Sequence, residues 1–103
     1  MNPRIIFEPE ARVEFVKAKD RYRRESPQKA RAFDAAMREC LNQIEIHPDG
    51  FQSIYRSGVR RIRFTDFPFN LIYFIDPDAI FILAVAHNAR DPEYWLHRIP
   101  EEN

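Results

Sequence analysis

Residues 59–98 read VRRIRFTDFPFNLIYFIDPDAIFILAVAHNARDPEYWLHR, and the rest of the chain is arranged around them. Two runs in the middle, Phe69 to Ile75 and Ala79 to Ala86, are built almost wholly from Phe, Ile, Leu, Val, Tyr and Ala. Asp76-Pro77-Asp78 separates them, which predicts a β-hairpin with proline at the second turn position. Neither run alternates apolar with polar. Leu71, Tyr73 and Ile75 share one face and Ile72 and Phe74 the other, while Ile80, Ile82 and Ala84 oppose Phe81, Leu83 and Val85. Such strands need cover on both faces. At the end of the second run the chemistry changes, with His87, Arg90, Asp91, Tyr94, Trp95 and Arg98 following within a few residues. Polar groups delivered at a strand end by an apolar scaffold mark a candidate site.

Upstream of this stretch, Arg4-Ile5-Ile6-Phe7 predicts a short first strand, closed by Glu8-Pro9. From Glu10 to about Arg24, Ala11, Phe15, Ala18 and Tyr22 recur at helical spacing. Ser26-Pro27 then supplies an N-cap and a first-turn proline for a second helix. Its stripe is Ala30, Phe33, Met37, Cys40, Leu41 and Ile44, and His47-Pro48-Asp49-Gly50 ends it. Phe51 to Arg56 is compatible with either an edge strand or an ordered loop. In the strand from Val59 to Phe64, alternation puts Ile62, Phe64 and Arg60 on the helix side and leaves Arg61 and Arg63 on the open face.

The expected fold is α+β: an N-terminal strand, a helical hairpin, then a three-stranded antiparallel meander with a short C-terminal helical turn from Pro92 to Arg98. Two helices cover one face of that sheet, so the second face calls for the C-terminal segment or a partner chain.

With 103 residues the chain makes one domain, residues 1–103, large enough for a core without metal or disulfide staples. The single Cys40 cannot form an internal disulfide, and no apolar run reaches the roughly 20 residues of a membrane span. These features, with no basic-apolar leader, make the cytoplasm the expected location. Sixteen basic residues balance sixteen acidic ones, which argues against a general nucleic-acid binder. The charges are nevertheless segregated: Lys17, Lys19, Arg21, Arg23, Arg24, Lys29 and Arg31 cluster on the helices, and Arg56, Arg60, Arg61 and Arg63 follow without an acidic neighbour. Acidic residues gather toward the C-terminus, among them Asp91, Glu93, Glu101 and Glu102. The three histidines share no metal-ligand spacing with a cysteine or carboxylate cluster, and the two glycines form no phosphate loop, so neither metal nor cofactor is expected.

The helical hairpin, the "VRR" strand, "FPFNLIYFI" and above all "ILAVAHNARDPEYWLHR" resemble the RelE/ParE superfamily, the toxins of bacterial type II toxin-antitoxin modules. The resemblance covers nearly the whole chain, and its most specific part is the strand ending in His87 with Arg90, Asp91-Pro92 and the aromatic pair after it. It implies a small growth-inhibiting toxin of the plasmid-stabilisation type, held in a hetero-oligomer by a cognate antitoxin that wraps over the helices and sheet. Phe15, Tyr22, Phe33, Tyr73 and Trp95 are the antitoxin contacts it suggests. The superfamily divides by target. ParE-like members poison DNA gyrase without a nuclease site, and Arg60, Arg61, Arg63, Arg90 and Arg98 are then the target-binding candidates. RelE-like members cleave messenger RNA on the ribosome without a metal, which would give catalytic roles to His87, Arg61, Arg63, Arg90 and Tyr94. A third possibility is an inactive fold kept as an antitoxin-binding module.

The ParE-like branch is preferred. RelE-like enzymes are strongly basic and several use lysines just before the "VRR" strand, where this chain has Gln52 and Ser53, and no lysine follows Lys29. His87 continues the Phe81, Leu83, Val85 face on simple alternation, so it reads first as a hydrogen-bonded residue at the core rim.

Overall fold

A computed structural model describes residues 3–55 and 58–100, so Arg56, Glu101 and Glu102 lie outside the described residues. The elements are β1 (Ile5–Phe7), α1 (Pro9–Glu25), α2 (Pro27–Ile46), β2 (Gln52–Tyr55), β3 (Val59–Arg63), β4 (Phe69–Ile75) and β5 (Ile80–His87), followed by a 3-10 turn at Leu96–Arg98. All five strands form one sheet in the order β1-β5-β4-β3-β2. The α+β arrangement is the expected one. The sheet is wider than a three-stranded meander, because the ambiguous stretch after Phe51 pairs as edge strand β2 and because β1 lies parallel to β5 at the opposite edge.

The local signals act as expected. Ser26 caps α2, its hydroxyl accepting from Lys29 N–H at 3.0 Å, and prolines occupy the first turn of both helices. Gly58 sits at φ +87°, where a β-carbon would be strained, and its carbonyl accepts Ile75 N–H at 3.2 Å. Between β3 and β4, Asp66 takes the left-handed conformation at φ 65°, which aspartate tolerates better than most residues.

The helices cover one face. Phe33 sits at the centre of this core, its ring 5.1–5.4 Å from those of Phe15, Tyr22, Phe64, Phe67 and Phe69. Ile62, Leu71, Tyr73, Ile80 and Ile82 complete the layer from the sheet side. Cys40 is buried there, its thiol pushed up to about 12 by desolvation and by Glu39. A second cluster on the other face holds Val59, Ile72, Phe74, Leu83, Ala84, Ala86 and Trp95, with Tyr94, Leu96 and Ile99 packed against it. The C-terminal segment therefore supplies the second cover itself, and Trp95, 2% exposed, is its anchor.

One break in alternation matters for the site. Ile72 pairs with Ala84 and Tyr73 with Ile82, so Leu83 is an extra residue, a bulge. Before it, residues alternate as predicted. After it the faces exchange: Ala84 and Ala86 turn to the second face, and Val85 to the helices. The face expected to hold Phe81, Leu83, Val85 and His87 together does not exist, and His87 stands opposite Phe69 of the helix-side core.

Candidate functional site

Along β3 and the residue after it, alternation directs Ile62 and Phe64 into the helix-side core and leaves Arg61 and Arg63 on the second face. These two arginines form one wall of a cleft of about 460 Å³. Ile72, Ala86 and Trp95 floor it, and His87, Asn88 and Arg90 from the end of β5 form the opposite wall. The small side chain of Ala86, brought to this face by the bulge, leaves the room. Asp91 and Glu93 stand on the C-terminal rim. Arg61 hydrogen-bonds the side chain of Gln52, Asn70 Nδ2 donates to Asn88 Oδ1 at 2.7 Å, and Arg63 is exposed with no carboxylate partner among the described residues. An apolar floor with a largely cationic rim suits an anionic or acidic surface.

The structure thus gathers His87, Arg61, Arg63 and Arg90 at one cleft, as the nuclease alternative requires. Of the groups that would move protons, Tyr94 is otherwise engaged and His87 is held through one ring nitrogen. His87 Nδ1 accepts Ala89 N–H at 3.0 Å, which closes the turn after β5 and places the ring proton on Nε2. Its ring meets Phe69 edge-on at 5.1 Å. Tyr94 does not line the cleft. Its hydroxyl donates to Glu14 Oε2 at 2.8 Å, and burial, then the Glu14 bond and charge, raise its pKa well above the ordinary phenol value. Arg90 lies over the Tyr94 ring at 3.8 Å, which fixes its direction at the cleft mouth.

Glu14 is the residue that sequence reasoning missed. β1 ends at Phe7, and Glu8 N–H closes its ladder on Ile82 O at 2.9 Å. Beyond that point Leu83 C=O and Val85 N–H of β5 have no neighbouring strand, and side chains take its place. Glu14 Oε1 accepts Val85 N–H at 3.0 Å and Arg98 NH1 at 3.0 Å, and the same NH1 reaches Leu83 O at 3.1 Å. Arg98 also meets Glu10 at 3.4 Å. Burial alone would lower the Arg98 pKa, but the Glu14 bond and the charges of Glu14 and Glu10 outweigh it and raise it. The signal was present: Glu14 falls three residues after Ala11 and four before Ala18, a carboxylate within the inward stripe of α1.

Several sequence-predicted residues move to structural roles. Arg98 is buried in this ion pair, so it is not a target contact. Arg60 faces the helix side, where its NH1 donates to Phe51 O at 2.8 Å, and it too is withdrawn from the cleft. Phe33, Tyr73 and Trp95 are almost fully buried and present no surface to an antitoxin. Tyr73 donates to Pro48 O at 2.7 Å, and burial pushes its hydroxyl up to about 12. Phe15 and Tyr22 are half-buried at the edge of the helix layer, beside the exposed Val13 and Val16 of α1. Among the described residues no cluster of three His, Cys, Asp or Glu is placed to hold a metal, and no helix is long and apolar enough to cross a membrane.

The pattern of the family described as the ParE toxin of type II toxin-antitoxin system, parDE, matches residues 5–92. Among solved structures, one titled as the chromosomal ParDE TA system from P. aeruginosa superposes with a TM-score of 0.70 at 17% identity, covering 82% of this chain and 95% of that one. At that identity the likeness speaks for the fold. No curated protein sequence matches the chain.

Proposed function

The chain belongs to the ParE toxin family of type II toxin-antitoxin systems, and from that premise we propose that it acts in the cytoplasm as a toxin on DNA gyrase, by binding and not by cutting RNA, and is silenced by a cognate antitoxin. The observation that carries the preference is the withdrawal of the Tyr94 hydroxyl from the cleft. The Tyr94 hydroxyl is spent on Glu14, while Arg61, Arg63 and Arg90 remain at the cleft mouth. What is left is a recognition surface. Arg61, Arg63 and Arg90 are the target contacts in this reading, with Arg60 and Arg98 removed from the set. The antitoxin docks on the outer side of α1, where Val13 and Val16 are about half exposed beside the edges of Phe15 and Tyr22.

Purified toxin added to gyrase and relaxed plasmid tests this directly. Supercoiling should stop, and Arg61→Gln/Arg63→Gln should raise the inhibitory concentration by about tenfold or more, the loss expected for charge-assisted contacts. That variant should still bind the antitoxin with unchanged affinity, since its sites lie on the opposite face from α1. A second reading, the metal-independent ribonuclease, draws on the convergence of His87 with three arginines on one cleft. Messenger RNA cut in the ribosomal A site by the wild type and slowed by roughly 10²–10⁴ in a folded His87→Ala variant, with supercoiling untouched, would establish it in place of the first.

A further inference from the structure

Four cations on the helices are neutralised where they stand. Lys19 and Arg38 meet Asp34, Arg23 meets Asp20, and Lys29 meets Glu25. Arg12 and Arg31 are exposed and meet no carboxylate among the described residues, and the same holds for Lys17, Arg21 and Arg24. Their spacing of four and three sets them on one stripe of α1. Lys17 and Arg21 line a second hollow, of about 340 Å³, floored by Ala18, Phe69 and Val85. Its far side is formed by His87 and Arg90, the same two residues that wall the arginine cleft. The end of β5 is therefore a wall between two hollows on opposite faces of the sheet, with Lys17 and Arg21 on one side and Arg61 and Arg63 on the other.

We infer that this wall enters the major groove of duplex DNA and that the two hollows seat the phosphate ribbons on either side of it. A single sheet layer with its side chains is about 10 Å thick, against roughly 12 Å for the major groove and roughly 6 Å for the minor. The cations that frame the wall are mostly arginine, whose planar fork matches phosphate oxygens. Glu14, at the hollow lined by Lys17 and Arg21, has its charge answered by Arg98 and its second oxygen by Tyr94. Asp91 and Glu93 stand on the C-terminal rim of the arginine cleft and bound the band there. A single acidic peptide occupies one hollow at a time, whereas two phosphate ribbons occupy both. The balanced total charge of the chain is compatible with this, because Lys17, Arg21, Arg61, Arg63 and Arg90 all line the two hollows beside the end of β5. This inference rests on the gyrase reading for the source of the duplex, and its test does not need gyrase.

Fluorescence anisotropy is measured with the full toxin and three labelled probes of matched length: a duplex DNA of arbitrary sequence, a single-stranded RNA and a polyglutamate peptide. The duplex should bind tightest. Its affinity should fall by on the order of 10²–10³-fold between about 50 and 200 mM salt, as expected for four to six phosphate contacts. Lys17→Glu/Arg21→Glu and Arg61→Gln/Arg63→Gln should each weaken duplex binding by tenfold or more and flatten the salt slope by about two. Arg38→Gln, outside the band, should change neither. Tighter binding of the RNA or the peptide, a slope near zero, or sensitivity confined to one of the two hollows overturns the inference. Gyrase supercoiling assayed in parallel separates the two proposals: inhibition without duplex binding sinks this one alone, and duplex binding through both hollows without inhibition sinks the gyrase reading alone.

Discussion

Replacing Arg98 with leucine removes the cation from the buried pair that closes the free edge of β5. The Glu14 carboxylate keeps Val85 N–H and the Tyr94 hydroxyl, with the Arg90 guanidinium 4.0 Å away. Leu83 C=O loses its donor. Breaking one side of a buried pair costs about 3–5 kcal/mol. The retained partners hold the figure to the lower end, and the orphaned carbonyl adds about 1 kcal/mol, partly offset by leucine burial. A loss of about 3 kcal/mol is expected, which for a chain of this size corresponds to a fall in Tm of about 12 °C. Urea melts of the wild type, Arg98→Leu, Glu14→Gln and the double variant give both the loss and the coupling. Glutamine can still accept from Val85 and Tyr94 but carries no charge, so the double variant should lose at least about 1 kcal/mol less than the sum of the single losses. A loss under about 1 kcal/mol, or single losses that add within about 0.5 kcal/mol, would refute the assignment of Glu14 and Arg98 as one unit replacing the missing strand.

Trp95→Ala should cost about 3–5 kcal/mol and raise binding of a hydrophobic dye, because it uncovers Ile72, Ala84 and Ala86; calorimetry and dye fluorescence check both. His87→Ala should cost only about 1–2 kcal/mol, the sum of one hydrogen bond and one edge-on ring contact, and should leave gyrase inhibition in place; abolished inhibition in a folded variant would give the ring a functional role. Stability should fall with alkali: the buried acids Cys40 and Tyr73, both pushed to about 12, and Tyr94, also raised, keep their protons in the folded state after the unfolded chain has released them. The native state then binds more protons, so stability present below about pH 9 declines as pH rises toward about 12. Urea midpoints that stay level across that window would contradict the burial of these groups.

The extent to which the sequence revealed the site varied with the range of the interactions. Arg61 and Arg63 were legible from strand alternation, since Ile62 and Phe64 on the same strand have an unambiguous apolar preference. Arg60 reads from alternation as a helix-side residue and Arg98 as a surface group, and neither partner can be named from the sequence. Their partners, Phe51 O for the one and Glu14 and Leu83 O for the other, are backbone or distant groups that no spacing reveals. Of the residues suggested as antitoxin contacts, Phe33, Tyr73 and Trp95 are buried, which the sequence does not show for a related reason. An aromatic residue in a helical stripe or a strand reads the same whether it fills a core or lines a groove, and only packing placed Phe33 at the centre of its cluster and Trp95 beneath the C-terminal segment.

By itself the sequence determined the hairpins, the capped helices, the α+β class and the superfamily, because each depends on contacts between residues close in the chain or on a pattern spread along it. The tertiary structure decided what depended on register. The bulge at Leu83 exchanges the faces of β5, opening the cleft over Ala86 and turning Val85 and His87 toward the helices. One residue inserted into a strand of period two reverses every side chain beyond it, and no local signal in an unbroken apolar run shows where that insertion falls. The short β1 likewise left an edge of β5 that only Glu14 and Arg98, 84 residues apart in the chain, could close. Their meeting is a consequence of the sheet order, with β5 beside β1 and beneath α1, and that order is fixed by packing both faces of the sheet at once.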